Sequence, residues 1–185
     1  METKNISLRH LLLPLLILQS VAALSVERPQ NGVDLITQVC KKTNFYQLCM
    51  KSLQSDPRSS TADVNGLAGI SLDLVTKKSN ETFTYALELF KNVRDPLLYQ
   101  YYGTCVEEYG AAVTRHLPAA IEALNKSHEY AVAGDEAKAV ANNANVCEEQ
   151  FTLTPMPRKS PFSSRSEVVH DLSLVAASII SQLKS

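Results

Sequence analysis

Residues 39–49 read VCKKTNFYQLC, a short segment with Cys40 near one end and Cys49 at the other. Zinc ligands usually come in close pairs and a redox pair takes the C-x-x-C form, and the chain has neither arrangement. The other two cysteines are Cys105 and Cys147. An even number favours disulfides in an oxidising compartment, although the sequence alone allows three pairings of four cysteines. We expect Cys40–Cys49 and Cys105–Cys147, because the first pair can close a local hairpin.

The first residues have the pattern of a secretory signal peptide. A basic start precedes the apolar run Leu11–Leu18, and small residues follow up to Ala23, after which we expect cleavage. A membrane anchor is the alternative, but this run is shorter than the roughly 20 residues that span a bilayer, and it contains Pro14. We therefore expect a signal peptide at 1–23, one secreted domain at 24–185, and no membrane association after cleavage.

Two other features agree with secretion. Asn80-Glu-Thr82 and Asn125-Lys-Ser127 are N-glycosylation motifs, so glycans are expected at Asn80 and Asn125. Lysine and arginine number 18 against 19 acidic residues, and they form no continuous basic stripe. Nucleic acid is therefore not an expected partner.

The remaining sequence has helical spacing, without the sustained alternation that is typical of strands. One helix carries small or apolar residues at steps of three and four, the seam of a helix packed in a bundle. The seam residues are Tyr130, Ala133, Ala137, Val140, Ala144, Cys147 and Phe151. Because Cys147 lies in this seam, its disulfide must reach a neighbouring helix.

Start signals predict the other bundle helices. Asp95-Pro96 is an N-cap followed by proline at the first helical position. The inward residues of that helix should be Tyr102, Cys105, Tyr109 and Ala112, with a bend at Pro118. The string SRSE at 164–167 is typical of a capping box, after which Val168, Leu172, Val175 and Ile179 should face inward. Asp63 favours the start of a helix that runs through Leu67, Ile70 and Leu74 towards Lys78, and a further helical turn or two should cover 83–90.

These elements predict an all-α fold, an up-down four-helix bundle at 57–185 preceded by a helical hairpin at 24–56. The Cys40–Cys49 disulfide would join the two arms of the hairpin. The proline-rich segment 152–163 should be an irregular loop held at the surface.

No arrangement of residues predicts catalysis. Glu167-Val-Val-His170 is the one Glu-x-x-His string, and the predicted inward face turns His170 outward, so no metal is expected. The neighbouring acids Glu148 and Glu149 diverge by about 100° on a helix and are interpreted as a solvated face. Nucleophile, P-loop and dinucleotide motifs are absent from the sequence. We expect no enzyme activity and no cofactor.

The order of elements resembles the plant invertase and pectin methylesterase inhibitor family over essentially the whole mature chain. Cys40-Lys-Lys-Thr43, Tyr46-Gln-Leu-Cys49, Leu117–Leu124, Ser160-Pro-Phe162 and His170-Asp-Leu-Ser173 carry the resemblance. The stretch DPRSSTADVNGLAGISLDL at 56–74 is especially similar to a pollen member of the family that is grouped with the invertase inhibitors. The resemblance implies a bundle with these two disulfides that binds a cell-wall enzyme and occludes its active site.

The resemblance also implies two classes of target. Members that inhibit pectin methylesterase lay bundle helices across its substrate groove, whereas invertase inhibitors insert a Pro-Lys-Phe segment into the sucrose site. His128, Glu129 and Tyr130 stand at the place of that segment, without its proline and lysine. We therefore expect pectin methylesterase as the partner, with invertase as the alternative and a structural or ligand-carrying role as the third hypothesis. The predicted target-binding residues are Tyr99, Tyr101, His128, Glu129 and Tyr130.

Overall fold

Helices make up most of the chain that the computed structural model describes, residues 32–153 and 155–183. They are α1 (Gly32–Cys40), α2 (Tyr46–Gln54), α3 (Val64–Asn92), α4 (Pro96–Ala111), α5 (Leu117–Glu122), α6 (Tyr130–Thr152) and α7 (Ser163–Ile180). A 3-10 turn covers Pro57–Ser60, and π-helical segments at Ala112–His116 and Ala123–Ser127 flank α5. Neither described range contains a strand. The predicted signal peptide at 1–23 lies outside the described residues.

Four long helical segments form the bundle. Helix α3 packs against α4 and α7, and α6 packs against the same two helices, so α3 and α6 occupy opposite corners. Short connections join consecutive segments, which therefore run alternately up and down. The buried seam of α6 is the predicted one, with Ala133, Ala137, Val140 and Ala144 all inaccessible to solvent. The predicted bundle is confirmed.

The N-terminal hairpin docks on one end of this bundle. Helices α1 and α2 are joined by the Cys40–Cys49 disulfide, with Cα atoms 5.6 Å apart. The side chains of Ser178 in the last turn of α7 and of Gln182 just after it donate to the carbonyl oxygens of Lys42 and Val39, respectively. The hairpin is therefore fastened to the bundle as well as closed on itself.

The second disulfide joins two helices within the bundle. Cys105 on α4 bonds to Cys147 on α6, with Cα atoms 4.6 Å apart, and both residues are fully buried. Ala144, one turn before Cys147 on α6, is small and fully buried, which lets the two backbones approach closely. The tie links segments that are 42 residues apart in the chain.

Aspartates start two of the bundle helices, as predicted. The Asp63 carboxylate accepts from the Gly66 N–H at 2.7 Å, and Asp95 accepts from the N–H groups of Leu97 and Leu98 at 2.8 and 3.0 Å. Each cap satisfies backbone donors that the first helical turn leaves free.

The helical path that begins with α4 continues through Pro118 because the turn before the proline is π-helical and therefore wider. Pro118 has no N–H, and its ring would clash with the carbonyl four residues earlier in a regular α-helix. The π-helical segment Ala112–His116 lies directly before α5, where this conflict arises. The hydrogen bond that Pro118 cannot donate is therefore absorbed within a continuous helical path.

Three details differ from the sequence prediction. Helix α3 runs unbroken over Val64–Asn92, past Lys78 and through 83–90, where only a further helical turn or two was expected. Helix α7 begins at Ser163 without a side-chain cap, so the capping box predicted at 164–167 does not form. Val168 is 37% exposed, and the adjacent Val169 takes the core position.

Candidate target-binding surface

The predicted contact segment forms a corner between the second π-helical segment and α6. His128 has φ 54° and ψ 30°, and it is the one non-glycine residue with positive φ in the described ranges. The N–H groups of His128 and Glu129 both donate to the Ala123 carbonyl oxygen, the latter at 2.9 Å. This left-handed turn satisfies the end of the preceding helix and reverses the chain. The side chains of His128 and Glu129 are left exposed.

Tyr130 lies partly in the core rather than projecting from this corner. Its ring packs against the buried cluster, and its hydroxyl lies 3.4 Å from His128 Nδ1. A surface depression of about 660 Å³ opens beside it, between Val132 of α6 and Ile180 at the end of α7. The corner therefore presents a polar edge next to a shallow, largely apolar hollow.

The tyrosine cluster of α4 is divided between surface and core. Tyr99 is 51% exposed, and its ring stacks on Phe90 with centroids 4.5 Å apart. Tyr101 is 3% exposed, its hydroxyl donates to the Met156 carbonyl oxygen at 3.2 Å, and its ring meets Phe151 edge-on. This burial removes Tyr101 from the predicted contact residues, whereas Tyr99 remains a candidate.

The two groups of candidate residues lie at opposite ends of the bundle. Tyr99 belongs to the first turn of α4, and His128 follows the last turn of the same helical path. At 1.5 Å per residue, these positions are roughly 40 Å apart. The fold does not bring them together into one patch.

Glu148 has a structural role that the sequence did not reveal. Its carboxylate accepts from the hydroxyl groups of Ser160, Ser163 and Ser166 at 2.8, 2.9 and 3.0 Å. The buried Tyr109 hydroxyl in turn donates to Ser166 Oγ at 2.9 Å, and burial raises the pKa of Tyr109. Glu148 thereby ties the end of α6 to the start of α7, so its interpretation as part of a solvated face was wrong.

The two glycosylation motifs occupy different environments. Asn80 is exposed near the middle of α3, and Asn125 is exposed in the π-helical segment three residues before His128. Neither asparagine belongs to the buried core.

The described residues offer no metal centre. Side chains of His, Cys, Asp and Glu in these ranges form no group of three or more that could hold an ion. His170 is half-buried, and its Nδ1 lies 2.8 Å from the carboxylate of its neighbour Asp171. Its surroundings are those of a local polar pair.

Residues 34–179 match the family model described as plant invertase/pectin methylesterase inhibitor. The chain belongs to this inhibitor family. The match covers the hairpin, both disulfides and the bundle almost to the end of α7.

Curated relatives include inhibitors of both enzyme classes. The chain is similar to a pectinesterase inhibitor of Actinidia deliciosa, 31% identical over 149 residues that cover 76% of each chain. It is also similar to the cell wall / vacuolar inhibitor of fructosidase 2 of Arabidopsis thaliana, 33% identical over 131 residues, covering 70% of this chain and 72% of the relative.

A solved structure supports the fold. The crystal structure of mutant form A of a pectin methylesterase inhibitor from Arabidopsis aligns with a TM-score of 0.69 and 23% identity, covering 80% of this chain and 97% of that chain. At this identity the likeness concerns the architecture alone.

Membership of the family gives this protein an inhibitory role and not an enzymatic one. It also leaves the ligand-carrying hypothesis without support. In the described part of the chain, no helix has the length and apolar character that a bilayer crossing requires. The departure from the Pro-Lys-Phe pattern at 128–130 then bears on which enzyme is the target.

Proposed function

We propose that this chain is a secreted inhibitor that binds a plant cell-wall pectin methylesterase and occludes its active site. The main support for this proposal is the conformation of the corner at 128–130. The aromatic side chain available there, Tyr130, is partly buried against the core, and the segment has neither the proline nor the lysine of the invertase-inhibitor pattern. A corner of this kind is poorly suited to entering a narrow sugar site.

The exposed tyrosine of α4 supports contact through helix surfaces. Tyr99 presents half of its surface while its ring is held in place against Phe90. A tyrosine that is immobilised before binding loses little conformational freedom on association, and tyrosine is enriched at binding hot spots. A helix surface centred near Tyr99 can cover an open groove without inserting a loop.

One enzyme cannot contact both candidate ends of the bundle through a single interface of standard size. A standard interface buries about 800 Å² on each partner, which corresponds to a patch about 30 Å across. Tyr99 and His128 are roughly 40 Å apart along the helix axis. One enzyme bound in a standard interface therefore covers one end or the other.

Invertase is the second candidate, and a specific observation favours it. Glu129 and His128 are exposed at the corner, at the position where the family's invertase inhibitors carry their inserted segment. A relative named as a fructosidase inhibitor is 33% identical. In this case the corner and the hollow beside Tyr130 would form the contact.

A paired inhibition assay separates these candidates. Purified protein is titrated into plant pectin methylesterase and into cell-wall and vacuolar invertases at mildly acidic pH. We expect stoichiometric loss of pectin methylesterase activity and no change in sucrose hydrolysis. Full esterase activity at a large molar excess of inhibitor would reject the proposal.

Two matched variants locate the contact. Tyr99→Ala should raise the inhibition constant for pectin methylesterase about tenfold, the loss expected for a moderate hot spot of about 1.4 kcal/mol. Glu129→Ala, at the far end of the bundle, should leave it unchanged. The opposite result would move the contact with pectin methylesterase from the Tyr99 surface to the corner.

A further inference from the structure

The outer surface of α3 carries a modification motif in an accessible position. Asn80 and Thr82 belong to the sequence Asn-Glu-Thr, which is the acceptor pattern for N-linked glycans. Asn80 is exposed and lies 16 residues after the first residue of α3, about 24 Å along its axis. A sugar at this point would stand near the middle of the long side of the bundle.

The Asn80 side chain can accept a sugar without disturbing the fold. Its Nδ2 makes a hydrogen bond to the Thr76 carbonyl oxygen of the same helix, at 2.9 Å. An asparagine amide has two N–H donors, and a glycosidic bond replaces one of them. The remaining N–H can keep the bond to Thr76.

Thr82 indicates when the sugar would be attached. The residue is 2% exposed, and its hydroxyl donates to the Lys78 carbonyl oxygen at 2.8 Å. The acceptor pattern depends on this hydroxyl, which is inaccessible once α3 has packed. Attachment therefore precedes folding, as expected for a chain that is modified while it enters the secretory pathway.

The neighbours of Asn80 define an exposed line on α3, whose first residue, Asp73, is paired with Arg58 of the 3-10 turn. Lys77, Thr84 and Leu87 follow the same line along α3, and all are exposed. We refer to this line, Asp73–Lys77–Asn80–Thr84–Leu87, as the outer stripe of α3. It faces away from α4 and α7, the helices that α3 packs against.

We propose that Asn80 carries an N-linked glycan that covers the outer stripe of α3, and that the target enzyme does not contact this side of the bundle. The second part rests on the proposed inhibitory function. It implies that an enzyme contacting Tyr99 approaches from the α4 side, where the glycan does not reach, rather than across α3. The glycan would then coexist with inhibition, and its removal would leave inhibition unchanged.

Occupancy is tested on the secreted protein alone. The full chain is expressed in plant cells and collected from the medium, and its peptides are analysed by mass spectrometry before and after enzymatic glycan release in heavy-oxygen water. We expect the Asn80 peptide to carry a glycan and to acquire a heavy-oxygen aspartate on release. Asn80→Gln should lose one glycan on a gel, whereas Glu81→Ala, which keeps the motif on the same exposed turn, should retain it. An unmodified Asn80 peptide in the secreted wild type would overturn the proposal.

The docking consequence is tested with the same proteins. Glycosylated wild type and Asn80→Gln should inhibit the target with inhibition constants within about threefold of each other. A gain of more than about tenfold on removing the glycan would contradict the orientation, because it would place the enzyme over the outer stripe. If neither form inhibits either enzyme class, the proposed function fails, and the mass spectrum still decides whether Asn80 is modified.

Discussion

Replacing Glu148 with alanine removes the acceptor of three serine hydroxyl groups in one step. Ser160 and Ser163 are accessible enough to exchange that bond for water, so their loss costs little. Ser166 is 2% exposed and already accepts the Tyr109 hydroxyl, so its own proton is left without this acceptor. A buried donor without a partner costs about 1–3 kcal/mol. We expect Glu148→Ala to destabilise the protein by about 2–3 kcal/mol.

Urea denaturation of the oxidised protein measures this effect. For a small domain with a slope of about 2 kcal/mol per molar, the expected loss lowers the midpoint by about 1–1.5 M. Glu149→Ala is the matched control, because it removes an exposed carboxylate from the adjacent position of the same helix. The control should change stability by less than about 0.5 kcal/mol. Equal midpoints for the two variants would refute the assignment, since the Ser166 hydroxyl would then have found another acceptor.

Three further predictions concern the two disulfides, the left-handed turn at His128 and the 3-10 turn. Replacing both Cys105 and Cys147 with serine should lower the free energy of unfolding by about 4 kcal/mol, and the same change at Cys40 and Cys49 should lower it by about 2.7 kcal/mol. The difference arises because the longer loop gains more conformational freedom on unfolding once its disulfide is removed. Thermal unfolding compares the two variants, and a larger loss for the Cys40–Cys49 pair would contradict this reasoning. His128→Val should lower stability by about 1–2 kcal/mol, because a β-branched residue fits the left-handed backbone conformation poorly. The His128→Gly variant should be at least as stable as the wild type in the same assay. The Arg58 guanidinium holds the pKa of Asp56 below its ordinary value through hydrogen bonds. The pair therefore stabilises the fold at pH values above the ordinary carboxyl pKa, and this stabilisation is lost as the pH falls through the lowered pKa. In a carboxyl NMR titration, Arg58→Met should raise the pKa of Asp56, and an unchanged titration would be inconsistent with the pairing.

Local patterns predicted most of the fold. The alternating steps of three and four from Ala133 to Phe151 depend on helix geometry alone, and all of these seam residues are buried. Asp95-Pro96 combines a side-chain acceptor with a residue that needs no N–H partner, so its position as a helix start did not depend on the rest of the chain.

The errors concern features decided by contacts between helices. Tyr99 and Tyr101 are close in sequence, and which one is buried depends on Phe151 of α6, which packs against Tyr101. The string at 164–167 fits a local capping pattern, but α7 begins at Ser163, and the hydroxyl groups of Ser163 and Ser166 bond to Glu148 on another helix. Packing against α4 and α7 likewise keeps α3 helical through polar residues at its centre, because most helix stability in proteins comes from tertiary contacts.

A parallel titration of this protein into pectin methylesterase and into invertase tests the target assignment most directly. We predict that esterase activity falls to zero near a one-to-one molar ratio while sucrose hydrolysis is unaffected. Inhibition of invertase with full retention of esterase activity would contradict the account and would assign the corner at 128–130 as the contact surface.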